Sequence, residues 1–326
     1  MLCRASGLIL AITVGLATTM TAQQQLERLA VAGQVHLLAG TGANVVVQAG
    51  DEGAIFVDTS VEAANDQLLA EVGELTQRPI RYVINTNADP DHYGGNQRIS
   101  SAGRNFAIPA PNLAGVGARA GGGRGGGGGG RTPNAQVYAH EAVLTRMSMA
   151  DGAAAVPFAL WPSDTFFTAK KTLYFNGEPI ELLHAPKAHT DGDVMVWFRK
   201  SDVIAAGDVY TPDRFPMIDL ARGGSVQGLL DALNRIIDIT VPRFNQQGGT
   251  MVVPGHGRIS NESDVAEYRD MATIVRDRIA LMVDRKMTLE QVTAANPVLD
   301  YEGVYGRNRT WTRDMFIEAV YRDLTR

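Results

Sequence analysis

Residues 83–96, VINTNADPDHYGGN, decide how this chain is read. Tyr82, Val83 and Ile84 close an apolar strand. Asn87, Asp89, Asp91 and His92 follow within six positions, and Gly94 and Gly95 then let the backbone turn sharply. A strand end of this kind aims several oxygens and one imidazole at a single point, which is what a divalent cation of the class of zinc or manganese requires.

Three later segments repeat the pattern of apolar strand, small-residue turn and metal-seeking side chain. In ELLHAPKAHTDGD (181–193) a tight turn between two strands carries His189, VIAAGDVY (203–210) ends its strand at Asp208, and TMVVPGHGRIS (250–260) holds His256 between two glycines. Taken singly, each has an ordinary explanation: a loop histidine is solvated, and an aspartate after glycine is a turn residue. Four repetitions together point to loops at one edge of a sheet assembling a common site.

Upstream, QVHLLAG (34–40), NVVVQAG (44–50) and GAIFVDT (53–59) read as three short strands, with His36 a strand residue facing a neighbour and Asp58 at the third strand's end. The spacing of apolar residues predicts a helix over 61–75, and RPIRYVIN returns to strand. NAQVYAHEAVLTRMS (134–148) is a strand running into a helix, with His140 at the junction, and His184 reads as supporting a ligand from behind or as packed on its strand. Between these units, residues 115–130 contain eleven glycines in sixteen positions and read as a flexible surface loop. No strand leads into its GVG and no Lys-Ser or Lys-Thr follows, so a phosphate-binding loop is excluded.

The spacing Asn87-x-Asp89-x-Asp91-His92 with its glycine pair resembles the His-x-His-x-Asp-His motif of the metallo-β-lactamase superfamily, with Asn87 and Asp89 at the two altered histidine positions. His189 with its Thr-Asp-Gly-Asp continuation, Asp208, and Gly255-His256-Gly257 are similar to the family's later landmarks. Residues 214–233 and 263–283 resemble segments of its secreted or periplasmic branch. The resemblance implies one domain over residues 23–326: an αββα sandwich, two mixed β-sheets with helices on the outer faces. It also implies a zinc site of Asp91, His92, Asp208 and His256, and a second site of Asn87, Asp89 and His189 sharing Asp208. The altered donors leave that second site weak for zinc or suited to manganese or iron. Asp58 is implied to support the site from behind a ligand. His140 is implied to be structural or to support a ligand from behind, since the family's Ala-His pair at this junction is not a metal ligand in most members.

Within that resemblance the expected chemistry is hydrolysis by a metal-activated water. Asp89 acts as general base, His189 stabilises an oxyanion or protonates the leaving group, and Asp91 completes the catalytic set. The expected substrate is a small ester, lactone or β-lactam. The alternative is a binding protein of the same fold that has lost catalysis and keeps a metal.

Composition sets outer bounds. A chain of 326 residues, 45% hydrophobic, buries a large core. A formal net charge of -5 with scattered basic residues gives no footprint for nucleic acid or an anionic membrane. Residues 1–22 read as a signal peptide, with Arg4, an apolar run from Gly7 to Met20, and then polar Gln23, Gln24 and Gln25. Its removal takes away Cys3, the only cysteine, and with it any disulfide or thiolate ligand. Periplasmic or secreted placement is therefore expected. A C-terminal helical extension is expected over 288–326, with Trp311 and Phe316 placed for packing.

Overall fold

The computed structural model describes residues 26–40, 42–106, 134–149, 155–240 and 249–326, so the expected signal peptide and the glycine-rich stretch 115–130 lie outside the described residues. The first half of the chain forms a seven-stranded sheet. Its strands are β1 (Glu27–Ala32), β2 (Val35–Ala39), β3 (Val45–Gly50), β4 (Gly53–Val57), β5 (Ile80–Ile84), β6 (Gln136–His140) and β7 (Asp164–Phe166), in spatial order β1 to β7. β1 to β4 pair antiparallel and β4 to β7 parallel. The helices of this half are α1 (Asn65–Leu75), the single turn α2 (Pro90–Tyr93), α3 (Asn96–Ala102) and α4 (Glu141–Ser148).

The second sheet has the order β12-β11-β10-β9-β8. It is built from β8 (Lys170–Phe175), β9 (Glu178–Ala185), β10 (Asp193–Phe198), β11 (Val203–Gly207) and β12 (Met251–Pro254), with only β11 and β12 parallel. The remaining helices are α5 (Val226–Thr240), α6 (Glu262–Asp284), α7 (Leu289–Ala295), α8 (Glu302–Tyr305) and α9 (Arg313–Leu324). The sequence predicts two helical stretches after Thr288; the chain also makes the one-turn α8 between them. β1, which the sequence reading left unassigned, pairs with β2 at the edge of the first sheet.

The strand side chains alternate between two cores, which makes the architecture a four-layer sandwich. Leu37, Val46, Ile55, Val57 and Ile84 of the first sheet meet Ile180, Leu182, Val194, Val196 and Val203 of the second in the central layer. Their neighbours Leu38, Val47, Phe56 and Val83 face outward onto Leu68 and Val72 of α1 and Ile99 of α3. Leu183, Met195, Ile204 and Val252 likewise face outward onto α5, α6 and α9. Strands buried on both faces read as continuous apolar runs, which is why these segments stand out in the sequence.

The sheets are tied together at the end where the motif-bearing loops emerge. Val194 N donates to Thr86 O at 2.7 Å, and the buried Asn44 donates from Nδ2 to Pro254 O and Gly257 O, both at 3.0 Å. The C-terminal helices belong to the same body. Phe316 of α9 is fully buried and stacks on Phe215 at 5.2 Å between ring centres. Removing a buried aromatic of this size costs about 3–5 kcal/mol. Chemical denaturation of Phe316→Ala should show a loss of that size, and a loss under about 1 kcal/mol would mean that the C-terminal helices ride on the surface.

Candidate metal centre

Each candidate side chain is presented by the end of a strand. Asp58 follows β4 with φ of 63°, a left-handed conformation uncommon outside glycine, asparagine and aspartate. That twist turns its carboxylate across to β5, where Oδ1 accepts from Thr86 N at 2.8 Å and Oδ2 from Thr86 Oγ1 at 2.7 Å. Oδ2 also lies 2.8 Å from His92 Nδ1, which turns the ring so that Nε2 faces Asp208 Oδ2 at 3.2 Å. A carboxylate behind a histidine in this way orients the ring and raises its basicity as a ligand. Asp89 and Pro90 start α2, whose single turn carries Asp91 and His92 together.

Asp208 follows β11 and His256 follows β12, two parallel neighbours. Asp208 Oδ1 meets His256 Nδ1 at 2.8 Å, and Asp91 Oδ2 meets His256 Nε2 at 2.9 Å. Gly255 makes this approach possible, because a Cβ there would lie 2.2 Å from Asp208 Oδ1. His189 sits in the loop after β9, a turn closed by Thr190 donating to Asp193 from N at 2.7 Å and from Oγ1 at 2.8 Å. Its Nδ1 donates to Met217 O at 2.9 Å, leaving Nε2 to face Asp89 Oδ2 at 3.0 Å.

Two sets of donors thus gather. The first is Asp91, His92 and His256, the second Asp89, His189 and Asp208, with the donor atoms of each set within 4.8 Å of one another. Asp208 touches both His92 and His256 of the first set while counting in the second. Burial would push the imidazole of His256 down, but the hydrogen bonds from Asp208 and Asp91 outweigh it and raise it to about 9. His92, fully buried, is likewise carried well above its ordinary value by Asp208 and Asp58 against its desolvation. Imidazole nitrogens thus face carboxylate oxygens from positions in which both would also hold a divalent cation.

The fit can be tested on the spacings. A tetrahedral site with bonds of about 2.0–2.1 Å has donor–donor edges of roughly 3.3 Å. The observed gaps between His92 Nε2 and Asp208 Oδ2 (3.2 Å) and between His256 Nε2 and Asp91 Oδ2 (2.9 Å) need to open by only a few tenths of an ångström or less, while Asp208 Oδ1 lies on the other ring nitrogen of His256, so one ion would meet His256 through Nε2 and Asp208 through Oδ2. Two imidazoles and two carboxylates of this kind suit zinc.

The second set fits a cation poorly. Asn87 Oδ1, its only ligating atom, accepts from Asp89 N at 2.9 Å, and its buried Nδ2 has no partner. Asp89 has Oδ2 on His189 and Oδ1 on the guanidinium of Arg222. Burial alone would raise its pKa, but the hydrogen bonds and charges of His189 and Arg222 hold the carboxyl far below the usual range. The free general base expected of Asp89 is thus not what the structure contains, since both oxygens are paired and a carboxylate so held is a weak base.

Arg222 is the site residue that sequence reading missed. It ends a one-turn helix, Leu220–Arg222, capped by Asp219 and followed by Gly223 in the left-handed conformation. Its partner Asp89 is 133 residues away, and no local pattern marks it. His140 and His184 stack on each other at 3.6 Å between ring centres and take no part in the metal sets.

The profile of the metallo-beta-lactamase superfamily matches residues 38–256. Among solved structures, a double mutant of the sec-alkyl sulfatase PisA1 aligns with a TM-score of 0.66 at 14% identity over 92% of this chain, which spans 50% of that protein. The metallo-beta-lactamase from Pontibacter korlensis aligns with a TM-score of 0.54 at 15% identity, over 76% of this chain and 99% of that one. The DIM-1 metallo-beta-lactamase gives 0.54 and 15%, over 76% and 97%. At these identities the structural likeness is one of fold. No curated protein matches the chain.

Replacing Asp58 by Asn keeps a residue that tolerates the left-handed backbone and removes the charge behind His92. Metal affinity, read by competition with a chromophoric chelator, should fall about 10–100-fold. Unchanged affinity would show that Asp58 does not set the ring.

Proposed function

Because the chain belongs to the metallo-β-lactamase superfamily, we propose that it is a metal-dependent hydrolase of a small ester, lactone or β-lactam. The observation that carries this reading is the convergence of Asp91, His92, Asp208 and His256, from three separate strand ends, into contacts of 2.8–3.2 Å. A divalent cation held there supplies Lewis acidity, drawing electron density from a carbonyl oxygen and making water a better nucleophile. Zinc is the cation these donors suit best.

Asp91 takes the role of the base. Its Oδ2 faces His256, while Oδ1 has no hydrogen-bond partner among the described residues, and the side chain is 35% exposed. It is the carboxylate of the centre that can meet an incoming water, orient it and accept its proton. His189 is fully buried with Nδ1 on Met217 O and Nε2 on Asp89 Oδ2, and burial, which would lower its pKa, is outweighed by Asp89, Asp193 and Asp208, which carry it up to about 9; paired in this way it acts on the reaction through the placing of Asp89.

Arg222 also lines a cavity of about 350 Å³ with Met217, Ile218, Leu220, Trp311 and Met315. Its walls mix these apolar side chains with Asp219, Glu318 and Arg322, and of the residues paired at the centre Arg222 alone reaches it, which makes it a candidate place for the part of a small substrate remote from the reacting bond. Export to the periplasm or the medium accords with the N-terminal stretch. Among the described residues no helix is long and apolar enough to cross a membrane.

The pairing of Asp89 with Arg222 favours one other reading, a ligand-binding protein that keeps the metal and has lost turnover. A panel of chromogenic esters, lactones, β-lactams and phosphodiesters, assayed with metal restored and with chelator, separates the two. Chelator-sensitive turnover of an ester, lactone or β-lactam is expected, and bound metal without turnover on any class would leave the binding protein. Asp91→Asn keeps an oxygen donor, so it should retain metal while kcat drops about 10²-fold or more. If metal is lost in step with activity, Asp91 serves the centre only as a ligand and the base role falls.

A further inference from the structure

We propose that the guanidinium of Arg222 takes the place of a second metal ion, so that the chain holds one cation and Arg222 is the residue that sets this number. The inference rests on the metal-centre reading above but not on turnover.

The first support is the pairing itself. Asp89 stands at an altered histidine position of the motif, and its two oxygens are taken by His189 Nε2 and Arg222 Nη1. A second cation would have to share Asp89 with a guanidinium that stays charged at every pH the protein meets. The other replaced position, Asn87, has its oxygen on the backbone N–H of Asp89 and turns only an amide nitrogen, a donor, to its surroundings. Asp208 and His189 are then the only unaltered donors left on that side.

The second support is that Arg222 is held there by structure rather than by charge alone. Asp219 Oδ1 accepts from Arg222 N at 2.9 Å and Asp219 Oδ2 from Arg222 Nε at 2.7 Å, so one carboxylate fixes both the backbone and the head of the arginine. Arg222 O accepts from Asp191 N, and Asp219 N donates to His189 O, each at 2.9 Å, which locks this turn onto the loop that carries His189. Gly224 packs so closely on that loop that a Cβ would lie 2.3 Å from His189 O. The C-terminal helices brace the same segment. Trp311 Nε1 donates to Pro216 O at 3.1 Å, Arg326 Nη2 to Leu220 O at 2.9 Å, and Val226 N to Asp323 Oδ2 at 2.8 Å. The backbone of the turn is thus fixed at several points, and the head of the arginine is held over Asp89 by Asp219 on its other side.

The test is metal stoichiometry. Full-length protein is stripped with chelator, dialysed and titrated with zinc or with cobalt(II), and bound metal is counted by elemental analysis and by the cobalt absorption spectrum. Wild-type protein should take up one equivalent. Arg222→Met, which keeps the bulk of the stem without charge, should take up two, and the second should disappear again in the Arg222→Met/His189→Ala double variant. Arg222→Lys should stay at one, and Arg222→Gln repeats the uncharged test should the methionine variant fail to fold. Two equivalents in the wild-type protein, or one in both uncharged variants, overturn the inference. No bound metal in the wild-type protein removes it together with the metal centre. One equivalent without turnover on any substrate leaves it standing and removes only the hydrolase reading.

Discussion

Buried carboxylates must be paired, and the site is arranged around that constraint. Asp58, Asp89 and Asp208 are each almost wholly buried, and with the half-buried Asp91 they lie at one edge of the sandwich. Four negative charges so close together would repel strongly in an interior of low dielectric. Three imidazoles and one guanidinium answer them: His92 lies between Asp58 and Asp208, His256 between Asp208 and Asp91, and His189 and Arg222 flank Asp89. Acid and base alternate from Asp58 through His92, Asp208 and His256 to Asp91, and separately from His189 through Asp89 to Arg222, so within each run the position of a group depends on its neighbours.

That dependence divides the centre into two unlike halves. Around His92 and His256 the positive charge consists of protons on imidazole nitrogens, which a metal ion displaces because both compete for the same lone pairs. Around Asp89 it includes a guanidinium, which no metal displaces by deprotonation. The replacement of two motif histidines by Asn87 and Asp89 is thus matched by the arginine brought to meet them.

The scaffold explains how such different residues are delivered to one place. Both sheets send strand ends to the same edge, and backbone bonds such as Val194 N to Thr86 O hold those edges together. The C-terminal helices, which lie beyond the residues matched by the family profile, complete the core on the second sheet and brace the turn bearing Arg222. Core packing and site geometry are therefore linked through the 211–226 segment, with Phe215 buried against Phe316 a few residues before Arg222 itself.

The sequence by itself determined the strands, their ends and the candidate donors. Strands buried on both faces are written as unbroken apolar runs, and the polar residue that ends each run is its neighbour in the chain. Asp58 and Asp208 directly follow such runs, and Asp91, His92, His189 and His256 stand in the loops after them, which is where the sequence sought its candidate donors. What only the tertiary structure decided is pairing. Arg222 lies in a turn with no apolar run before it, and Thr86 is an unremarked residue between strand and motif. The state of Asp89, a paired carboxylate rather than a free base, depends on a partner 133 positions away. Periodicity records which face a residue occupies, but long-range charge pairing leaves no local pattern, because it is fixed only when separate loops close on one another.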